Sequence, residues 1–229
     1  MNKTIIETIN LKKTFDHKDG KIDLFKNVNL KVKKGDLIAL VGPSGSGKSS
    51  FLHLLALLDE PTQGKILLDN KNIKNFTEEE KDTIRREKIS IIFQDNNLLS
   101  DFTALENITM PLIIRGEKTS LANKKGEKIL KEVKIFNRAN HFPNEMSGGE
   151  QQRIAIARSL IAETELILAD EPTGNLDYKT SINIFSYFVK LKKMNKAVIF
   201  ATHNRELANK ADYKLSILRG DIKRVNGNK

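Results

Sequence analysis

The sequence predicts an α/β fold built around a mostly parallel sheet, with β-strands at the N-terminal end and a helical insertion near the middle. Three observations support this class. A continuous apolar run at residues 37–41 is typical of a strand covered on both faces. A glycine-rich loop and a helical pattern at about residues 49–58 follow it directly. The stretch at residues 95–145 is more polar and has a helical pattern.

The strands are predicted from short apolar runs bounded by turn residues. At the N-terminal end, β-type runs cover residues 4–11 and 22–41, with turn signals at residues 16–20 and 33–36. Later strand candidates are residues 65–68, 89–93, 166–169, 197–201 and 214–218.

The helical stretch is interpreted as an insertion rather than as a second domain. Helix breakers stand at Pro111, Gly116 and Pro143, where helices are expected to end. No flexible-linker composition flanks the stretch, as it would at a domain boundary. We therefore predict one domain over residues 1–229, with residues 95–145 as an inserted helical subdomain.

The composition is that of an ordinary soluble globular protein, and it excludes several kinds of site. The chain has no cysteine, so it cannot form disulfides, cysteine-ligated zinc sites or a cysteine nucleophile. Its net charge of +10 comes from 39 lysines and arginines against 29 acidic residues. Because the lysines are scattered in ones and twos, they are interpreted as solvated surface charge rather than as a nucleic-acid or membrane-binding patch. No nucleic-acid partner is expected.

Neither a secretory signal nor a membrane span is expected. The N-terminal residues lack an apolar stretch long enough for a signal before their charges begin. The longest apolar run, residues 51–58, is interrupted by His53, whereas a spanning helix needs about 20 apolar residues. Any membrane contact is therefore expected to occur through partner proteins.

The first chemical motif is the glycine-rich loop between strand and helix. Its pattern, Gly42-x-x-x-x-Gly47-Lys48-Ser49, matches a phosphate-binding loop. In such a loop, backbone N–H groups surround the β-phosphate, the lysine reaches the β- and γ-phosphate oxygens, and the serine hydroxyl ligates Mg²⁺. The alternative is a glycine turn that only closes a strand–helix unit. The predicted nucleotide-binding residues of the loop are Gly42, Pro43, Ser44, Gly45, Ser46, Gly47, Lys48 and Ser49.

Two adjacent acids follow a second apolar strand. Asp170 and Glu171 come directly after residues 166–169, and the carboxyl ends of strands in an open α/β sheet face the ligand crevice. Asp170 is therefore expected to bind Mg²⁺ through water, and Glu171 to polarise or deprotonate an attacking water. The alternative is a plain helix cap, since Pro172 follows.

A second glycine motif opens a later helix. Ser147, Gly148 and Gly149 precede a run of helical periodicity at residues 152–162, so this helix N-terminus is a second candidate anion site. Two phosphate sites with one nucleotide-binding lysine need an explanation. A head-to-tail dimer provides it, if each ATP contacts the phosphate loop of one copy and the second glycine motif of the other.

Over essentially its whole length the chain resembles the nucleotide-binding subunits of ABC transporters. Residues 146–151, Met-Ser-Gly-Gly-Glu-Gln, resemble the signature motif of that family. By the same resemblance, Gln94 senses Mg²⁺ and the membrane partner, and His203 contacts the γ-phosphate. Phe15 corresponds to the aromatic residue that stacks on adenine, and it stands where tyrosine is commoner. Residues 175–177, which end in Asp177, resemble the D-loop.

The resemblance also implies a fold and a set of ligands. It implies a P-loop NTPase (RecA-like) core with an N-terminal antiparallel β subdomain and an inserted helical subdomain. ATP and Mg²⁺ are the implied cofactors. The catalytic residues so assigned are Glu171, His203 and Gln94, the metal-binding residues are Ser49, Gln94 and Asp170, and Phe15, Ser147, Gly148, Gly149 and Asp177 join the loop as nucleotide-binding residues.

Longer stretches resemble one branch of the family, the ATPases of lipoprotein-releasing (Lol) systems. They are residues 53–64, 98–112, 138–141 and 169–177. This branch implies a homodimer of the chain, bound peripherally on the cytoplasmic side of the inner membrane to two integral-membrane subunits. Such complexes pass outer-membrane lipoproteins to a periplasmic chaperone. The alternatives are a cell-division or macrolide-export type ABC ATPase and, from another class, a soluble ABC ATPase acting on nucleic acid.

Overall fold

The computed structural model describes residues 3–18, 20–174 and 176–226. Three short 3-10 turns, at Ile73–Asn75, Phe136–Arg138 and Pro143–Glu145, lie between the main elements. In chain order those elements are β1 (Thr4–His17), β2 (Gly20–Lys33), β3 (Leu37–Val41), α1 (Lys48–Leu55), β4 (Gln63–Leu68), β5 (Lys71–Asn72), α2 (Glu78–Lys88), β6 (Ile89–Ile92), α3 (Ala104–Ile114), α4 (Thr119–Glu132), α5 (Gly148–Ile161), β7 (Leu166–Asp170), α6 (Tyr178–Lys193), β8 (Ala197–Ala201), α7 (Arg205–Asn209), β9 (Tyr213–Leu218) and β10 (Asp221–Asn226).

A six-stranded sheet forms the centre of the fold, in the order β10-β9-β3-β8-β7-β6. Its strands are parallel except β10, which runs antiparallel to β9 at one edge. The strands are buried because separate apolar cores cover the two faces: along β3, Ile38 and Leu40 enter one core, and Leu37 and Ala39 the other. Because β3, β8 and β7 are adjacent and parallel, their carboxyl ends meet at the same edge of the sheet.

A second sheet of four antiparallel strands, in the order β2-β1-β4-β5, covers one face of the first. Helix α1 contributes to the core that both sheets share. Phe51, Leu52, Leu54 and Leu55 on this helix are completely buried. The helix that follows the glycine-rich loop is thus fixed by packing against both sheets, as a site built on its N-terminus requires.

The helical region expected at residues 95–145 contains α3 and α4, and α5 packs against both. Their shared core includes Ala104, Ile108, Leu130 and Ile154. Helices α3 and α5 each begin with a capping box, in which a Ser or Thr side chain and a Glu three residues later satisfy one another's backbone N–H groups. Within the described ranges, no helix combines the length and apolar character needed to cross a bilayer.

The expectation that Pro111 ends a helix is wrong. Pro111 lies inside α3, which continues to Ile114. Proline disfavours a helix interior by about 3 kcal/mol, but the burial of Ile108 and Leu112 against the neighbouring helices holds α3 together. The chain turns instead at Gly116, whose φ is +83°, and Pro143 opens a 3-10 turn.

Other differences concern the ends of elements and helices that the sequence analysis does not predict, namely α2, α6 and α7. Helix α1 ends at Leu55 rather than at residue 58, and Leu57 beyond it has a φ of +58°. Strand β1 extends to His17 rather than to residue 11. Helix α2 is nearly all polar, so no apolar stripe predicts it. Its local signals are the capping box formed by Thr77 and Glu80, the acids of its first turn and the basic residues of its last turn.

Candidate active site

The glycine-rich loop connects β3 to α1 at the carboxyl edge of the parallel sheet. Glycine is required at two of its positions for different reasons. A Cβ on Gly42 would lie 2.7 Å from Ser46 Oγ and 2.8 Å from the Ile217 carbonyl oxygen. Gly47, the N-cap of α1, has a φ of +96°, and a Cβ there would lie 2.8 Å from Leu24 Cγ. The loop is therefore a tightly packed backbone turn that opens directly into a helix, which is the geometry of a phosphate-binding site.

Lys48 is buried with its ammonium held across the loop. The side chain is 7 % exposed, and Nζ donates to the carbonyl oxygens of Gly42 at 3.1 Å and Pro43 at 3.2 Å. Nζ also lies 3.5 Å from His203 Nε2. A positive charge is thus fixed beside the loop and on the side that faces β8.

The two acids predicted at the end of β7 occupy different environments. Asp170 is the last residue of the strand and is 6 % exposed. Glu171 has left the strand, and its φ of +44° is a left-handed conformation that non-glycine residues rarely adopt. Its N–H donates to the Ala201 carbonyl oxygen at 3.2 Å, which ties the turn to the neighbouring strand β8.

Glu171 and His203 form a close pair. The His203 backbone N–H donates to Glu171 Oε2 at 3.3 Å, and His203 Nε2 lies 3.0 Å from Glu171 Oε1, close enough for an ion pair when the imidazole is protonated. Together with the contact between Lys48 and His203, this pair links β3, β7 and β8 at one edge of the sheet. Lys48, Glu171 and His203, which the sequence analysis names as site residues, thus lie together in the structure. Their chemical roles stay predictions.

The converging residues line a cavity of about 510 Å³. Phe15 and Leu24 from the N-terminal sheet are its large apolar lining residues, and the loop, Gln94, the two acids and His203 provide its polar ones. A nucleotide likewise combines an apolar base with charged phosphates. The lining residues are Phe15, Leu24, Ser44, Gly45, Gly47, Lys48, Ser49, Ser50, Gln94, Asp170, Glu171, Gly174 and His203.

Some lining residues were not predicted from the sequence. Leu24 is an apolar residue of a β-strand, and Ser50 and Gly174 belong to motif-flanking positions, so no local pattern distinguishes them. A different omission is Arg158 on α5, which donates to the carbonyl oxygens of Asn96 at 3.0 Å and Asn97 at 2.9 Å. These contacts fix the loop that follows Gln94, and only the tertiary structure reveals them.

The residues at the carboxyl end of β7 fit a magnesium ion. Asp170 Oδ1 is buried and has no hydrogen-bond partner among the residues described, and such an oxygen is costly unless a cation or donor meets it. Ser49 and Gln94 line the same cavity, and hydroxyl, amide and carboxylate oxygens are the ligands that Mg²⁺ prefers. The described ranges hold no cluster of three or more His, Cys, Asp or Glu side chains suited to a metal ion.

The second glycine motif lies elsewhere. Ser147 is the N-cap of α5, which begins at Gly148 rather than at residue 152, and its side chain accepts from the Glu150 N–H. A Cβ on Gly149 would lie 3.2 Å from Leu176 Cδ2, so this motif adjoins the segment that leads to Asp177. Asp177 caps α6 by accepting from the Thr180 N–H at 3.0 Å. Asn175 lies outside the described residues.

The structure therefore separates the predicted nucleotide-binding residues into two groups. In the phosphate loop, the cavity-lining residues are Ser44, Gly45, Gly47, Lys48 and Ser49, whereas Gly42, Pro43 and Ser46 do not line it. The described lining residues also do not include Ser147, Gly148, Gly149 or Asp177. Gly42 and Pro43 contribute through their carbonyl oxygens, which accept hydrogen bonds from Lys48 Nζ.

Comparison with known proteins agrees with this geometry. The sequence matches the ABC transporter family over residues 25–174. It is 41 % identical to the lipoprotein-releasing system ATP-binding protein LolD of Legionella pneumophila, over 97 % of this chain and 98 % of that protein. It is 44 % identical to the protein of the same name from Rickettsia felis, over 94 % of this chain and 96 % of that protein.

A solved structure extends the similarity to the whole fold. The ATP-binding cassette MJ0796, in a dimeric post-hydrolysis state bound to ADP and Pi, is similar with a TM-score of 0.93 and 36 % identity, over 98 % of this chain and 100 % of that one. The ABC-type α/β fold implied by the sequence motifs is thus confirmed. Since both the family match and the full-length relatives agree, the chain belongs to the ABC transporter family of ATP-binding proteins.

Proposed function

We propose that this chain is the ATP-hydrolysing subunit of a lipoprotein-releasing transporter. The observation that carries the hydrolytic part is the cavity in which Lys48, Asp170, Glu171 and His203 converge beside a phosphate-binding loop. The lipoprotein part is supported by relatives of that name that are 41–44 % identical over nearly the full length.

Each side chain has a distinct part in the proposed reaction. Phe15 stacks on adenine, and Lys48 turns its ammonium from the loop carbonyls toward the β- and γ-phosphates. Glu171 orients a water and accepts its proton as the water oxygen bonds to the γ-phosphorus and the bond from the γ-phosphorus to the bridging β-phosphate oxygen breaks, which releases ADP and inorganic phosphate. His203 contacts the γ-phosphate and holds the Glu171 carboxylate in position. A bound Mg²⁺, held by Ser49, Gln94 and Asp170, supplies charge neutralisation for the phosphates.

A second copy of the chain completes the site. Ser147, Gly148 and Gly149 stand at the exposed N-terminus of α5, away from the cavity of their own copy. In a head-to-tail homodimer they meet the γ-phosphate that is bound by the other copy. Two nucleotides are then enclosed between two chains, and hydrolysis opens the interface.

The dimer works on the cytoplasmic side of the inner membrane, bound to two integral-membrane subunits. Those subunits hold the lipoprotein and carry it toward a periplasmic chaperone. The segment after Gln94 is the proposed contact with them, and it includes the exposed side chains of Leu99 and Phe102. Membrane contact occurs only through these partners, and no nucleic acid is involved.

Reconstitution tests this proposal. The chain is assembled with the two membrane subunits in vesicles that carry a lipoprotein, and the release of lipoprotein to a soluble chaperone is measured with and without ATP. We expect ATP-dependent release and an ATPase activity well above that of the chain alone. ATP hydrolysis without lipoprotein release would support the ATPase activity but would exclude the lipoprotein-releasing branch of the family. Salt-resistant binding of the chain alone to bare vesicles would contradict attachment through partners.

A further inference from the structure

Lys13 is a buried lysine beside Phe15, which lines the cavity. It is 9 % exposed, on strand β1, and its Nζ donates to Asp59 Oδ1 at 2.6 Å and to the Glu60 carbonyl oxygen at 2.9 Å. Burying a lysine is unfavourable unless its charge is paired. Lys13 meets that condition through the loop that follows α1.

The same ammonium lies over an aromatic ring. Lys13 Nζ is 4.9 Å from the centroid of the Phe15 ring, within the range of a cation–π contact. Phe15 is nevertheless 43 % exposed and lines the cavity. One face of the ring is therefore in contact with a cation, and the ring remains available to the cavity.

The loop after α1 also holds the backbone beside Phe15. The Thr14 N–H donates to Thr62 Oγ1 at 3.0 Å, and the Thr62 N–H donates to the Lys12 carbonyl oxygen at 2.8 Å. Asp59 thus anchors the Lys13 ammonium, and Thr62 anchors the strand. Asp59 and Thr62 belong to the segment that follows α1, and α1 itself follows the phosphate loop. The helix and this segment therefore connect the phosphate loop to the strand that carries Phe15.

We infer that Lys13 is a positioning residue for nucleotide recognition, which fixes the Phe15 ring for stacking on the adenine base. The inference rests on the proposed ATP site. The ammonium restricts the ring to one orientation before the nucleotide arrives, and this reduces the entropy lost on binding. It also draws π-electron density toward its own face, which favours stacking of an electron-rich purine on the other.

The test separates binding of the base from binding of the phosphates. Affinities of the full chain for ATP and for inorganic tripolyphosphate, both with Mg²⁺, are measured by titration calorimetry. We expect Lys13→Met to weaken ATP binding about three- to fivefold, because the ring loses the contact that orients it before the base binds. Tripolyphosphate affinity should stay unchanged because this ligand has no base. Lys13→Arg should restore ATP affinity, since guanidinium groups also stack on aromatic rings.

A matched control and a double variant exclude a merely structural role. Lys12→Met removes the neighbouring lysine, which pairs with Asp23 at 3.1 Å, and should leave ATP affinity unchanged. In a Phe15→Ala background, Lys13→Met should have no further effect on ATP affinity, since the ring that it positions is gone. If Lys13→Met does not fold, Asp59→Asn, which leaves the ammonium without its anchoring charge, should weaken ATP binding in the same direction.

The outcomes distinguish this inference from the proposed function. Equal ATP affinity for Lys13→Met and the wild-type chain overturns the inference, and so does an equal weakening of ATP and tripolyphosphate. An additive effect in the Phe15→Ala background overturns it too. If the wild-type chain does not bind ATP, or if Phe15→Ala leaves ATP affinity unchanged, the proposed site itself is wrong.

Discussion

Glu171 combines an unfavourable backbone conformation with a side chain that is mostly buried. Its φ is +44°, and such conformations cost about 1–3 kcal/mol and persist only where the surroundings enforce them. Two sets of contacts enforce this conformation in Glu171: the hydrogen bond from its N–H to the Ala201 carbonyl oxygen, and the contacts of its carboxylate with His203. The turn directs the carboxylate toward the space beside Lys48, rather than capping a helix. This favours the hydrolytic interpretation of the acid pair over the helix-cap alternative.

Replacement of this carboxylate tests its role as the base. Glu171→Gln should bind ATP with near wild-type affinity and hydrolyse it about 10² to 10⁴ times more slowly, because the water loses its proton acceptor while the phosphate contacts remain. Phosphate release over time measures the rate. Glu79→Gln, an exposed acid on α2, is the matched control and should leave the rate unchanged. A Glu171→Gln variant that hydrolyses ATP at the wild-type rate would show that another group is the base.

Lys48 allows a prediction about binding rather than rate. Lys48→Ala should weaken ATP binding by about ten- to a hundredfold, because hydrogen bonds from a charged group contribute about 1.5–3 kcal/mol. Calorimetric titration with MgATP measures the change. Lys193→Ala removes an exposed lysine of α6 and is the control. Equal affinities of the Lys48→Ala and wild-type chains would mean that this ammonium does not contact the phosphates.

At the scale of single elements, helix α5 depends on its first turn. The Glu150 carboxylate accepts from the Ser147 N–H at 2.8 Å and from Arg138 Nε at 2.9 Å. Chiefly the backbone bond from Ser147, and then Arg138, lowers the pKa of Glu150 to about 2. The same carboxylate therefore fixes the N-terminus that presents the second glycine motif, so the stability of this motif is linked to pH.

The sign of that linkage follows from the lowered pKa. Glu150 stabilises the folded chain fully above its ordinary pKa near 4.5, and this contribution is lost as the pH falls from about 4.5 toward 2. Glu150→Gln should lower the free energy of unfolding at pH 7 by about 1–2 kcal/mol, the range of a lost cap and a partly exposed ion pair. The difference from wild type should shrink at pH 3.5.

Urea unfolding at pH 7, 5 and 3.5 measures this effect. Glu127→Gln on α4 is the control and should follow the wild-type pH profile. A Glu150→Gln chain whose deficit in unfolding free energy is the same at all three pH values would contradict the role of the ionised carboxylate.

The elements differ in how well the sequence predicts them, for physical reasons. Strands β3, β7 and β8 are short apolar runs, because both of their faces are covered, and their positions follow closely from the pattern. The prediction that a helix ends at Pro111 is wrong because tertiary packing outweighs the local preference of proline against a helix interior. Helix α2 is not predicted from hydrophobic periodicity because its residues are polar on nearly all sides. Motif residues such as Lys48 are predictable because their chemistry needs a fixed local spacing, whereas Lys13 and Arg158 act through contacts between distant segments.

At the scale of the whole molecule, the two glycine motifs predicted to bind phosphate lie at separate places in the chain. The cavity holds the phosphate loop, and the exposed N-terminus of α5 holds the second glycine motif. A similar cassette has been solved as a dimer bound to ADP and Pi. The proposed head-to-tail dimer joins the two motifs, so closure should depend on both the nucleotide and Ser147.

A trapped dimer tests this geometry. In the Glu171→Gln background, ATP should drive the chain into a dimer that light scattering detects, because the nucleotide is bound but not consumed. Adding Ser147→Arg should prevent dimer formation and leave ATP binding by the monomer intact. The phosphate loop is unchanged in this variant, while the bulky side chain occupies the space at the α5 N-terminus that the γ-phosphate needs.

The control addresses the second function of Ser147, which is to cap α5. Ser147→Ala also removes the cap and should destabilise the chain by about 1 kcal/mol, but it leaves the space open, so ATP should still drive dimer formation. Failure of both variants would attribute the defect to the weakened helix rather than to the blocked phosphate position. Unimpaired dimer formation by the Ser147→Arg chain would mean that the second glycine motif does not bind phosphate across the interface. The head-to-tail model would then have to be abandoned.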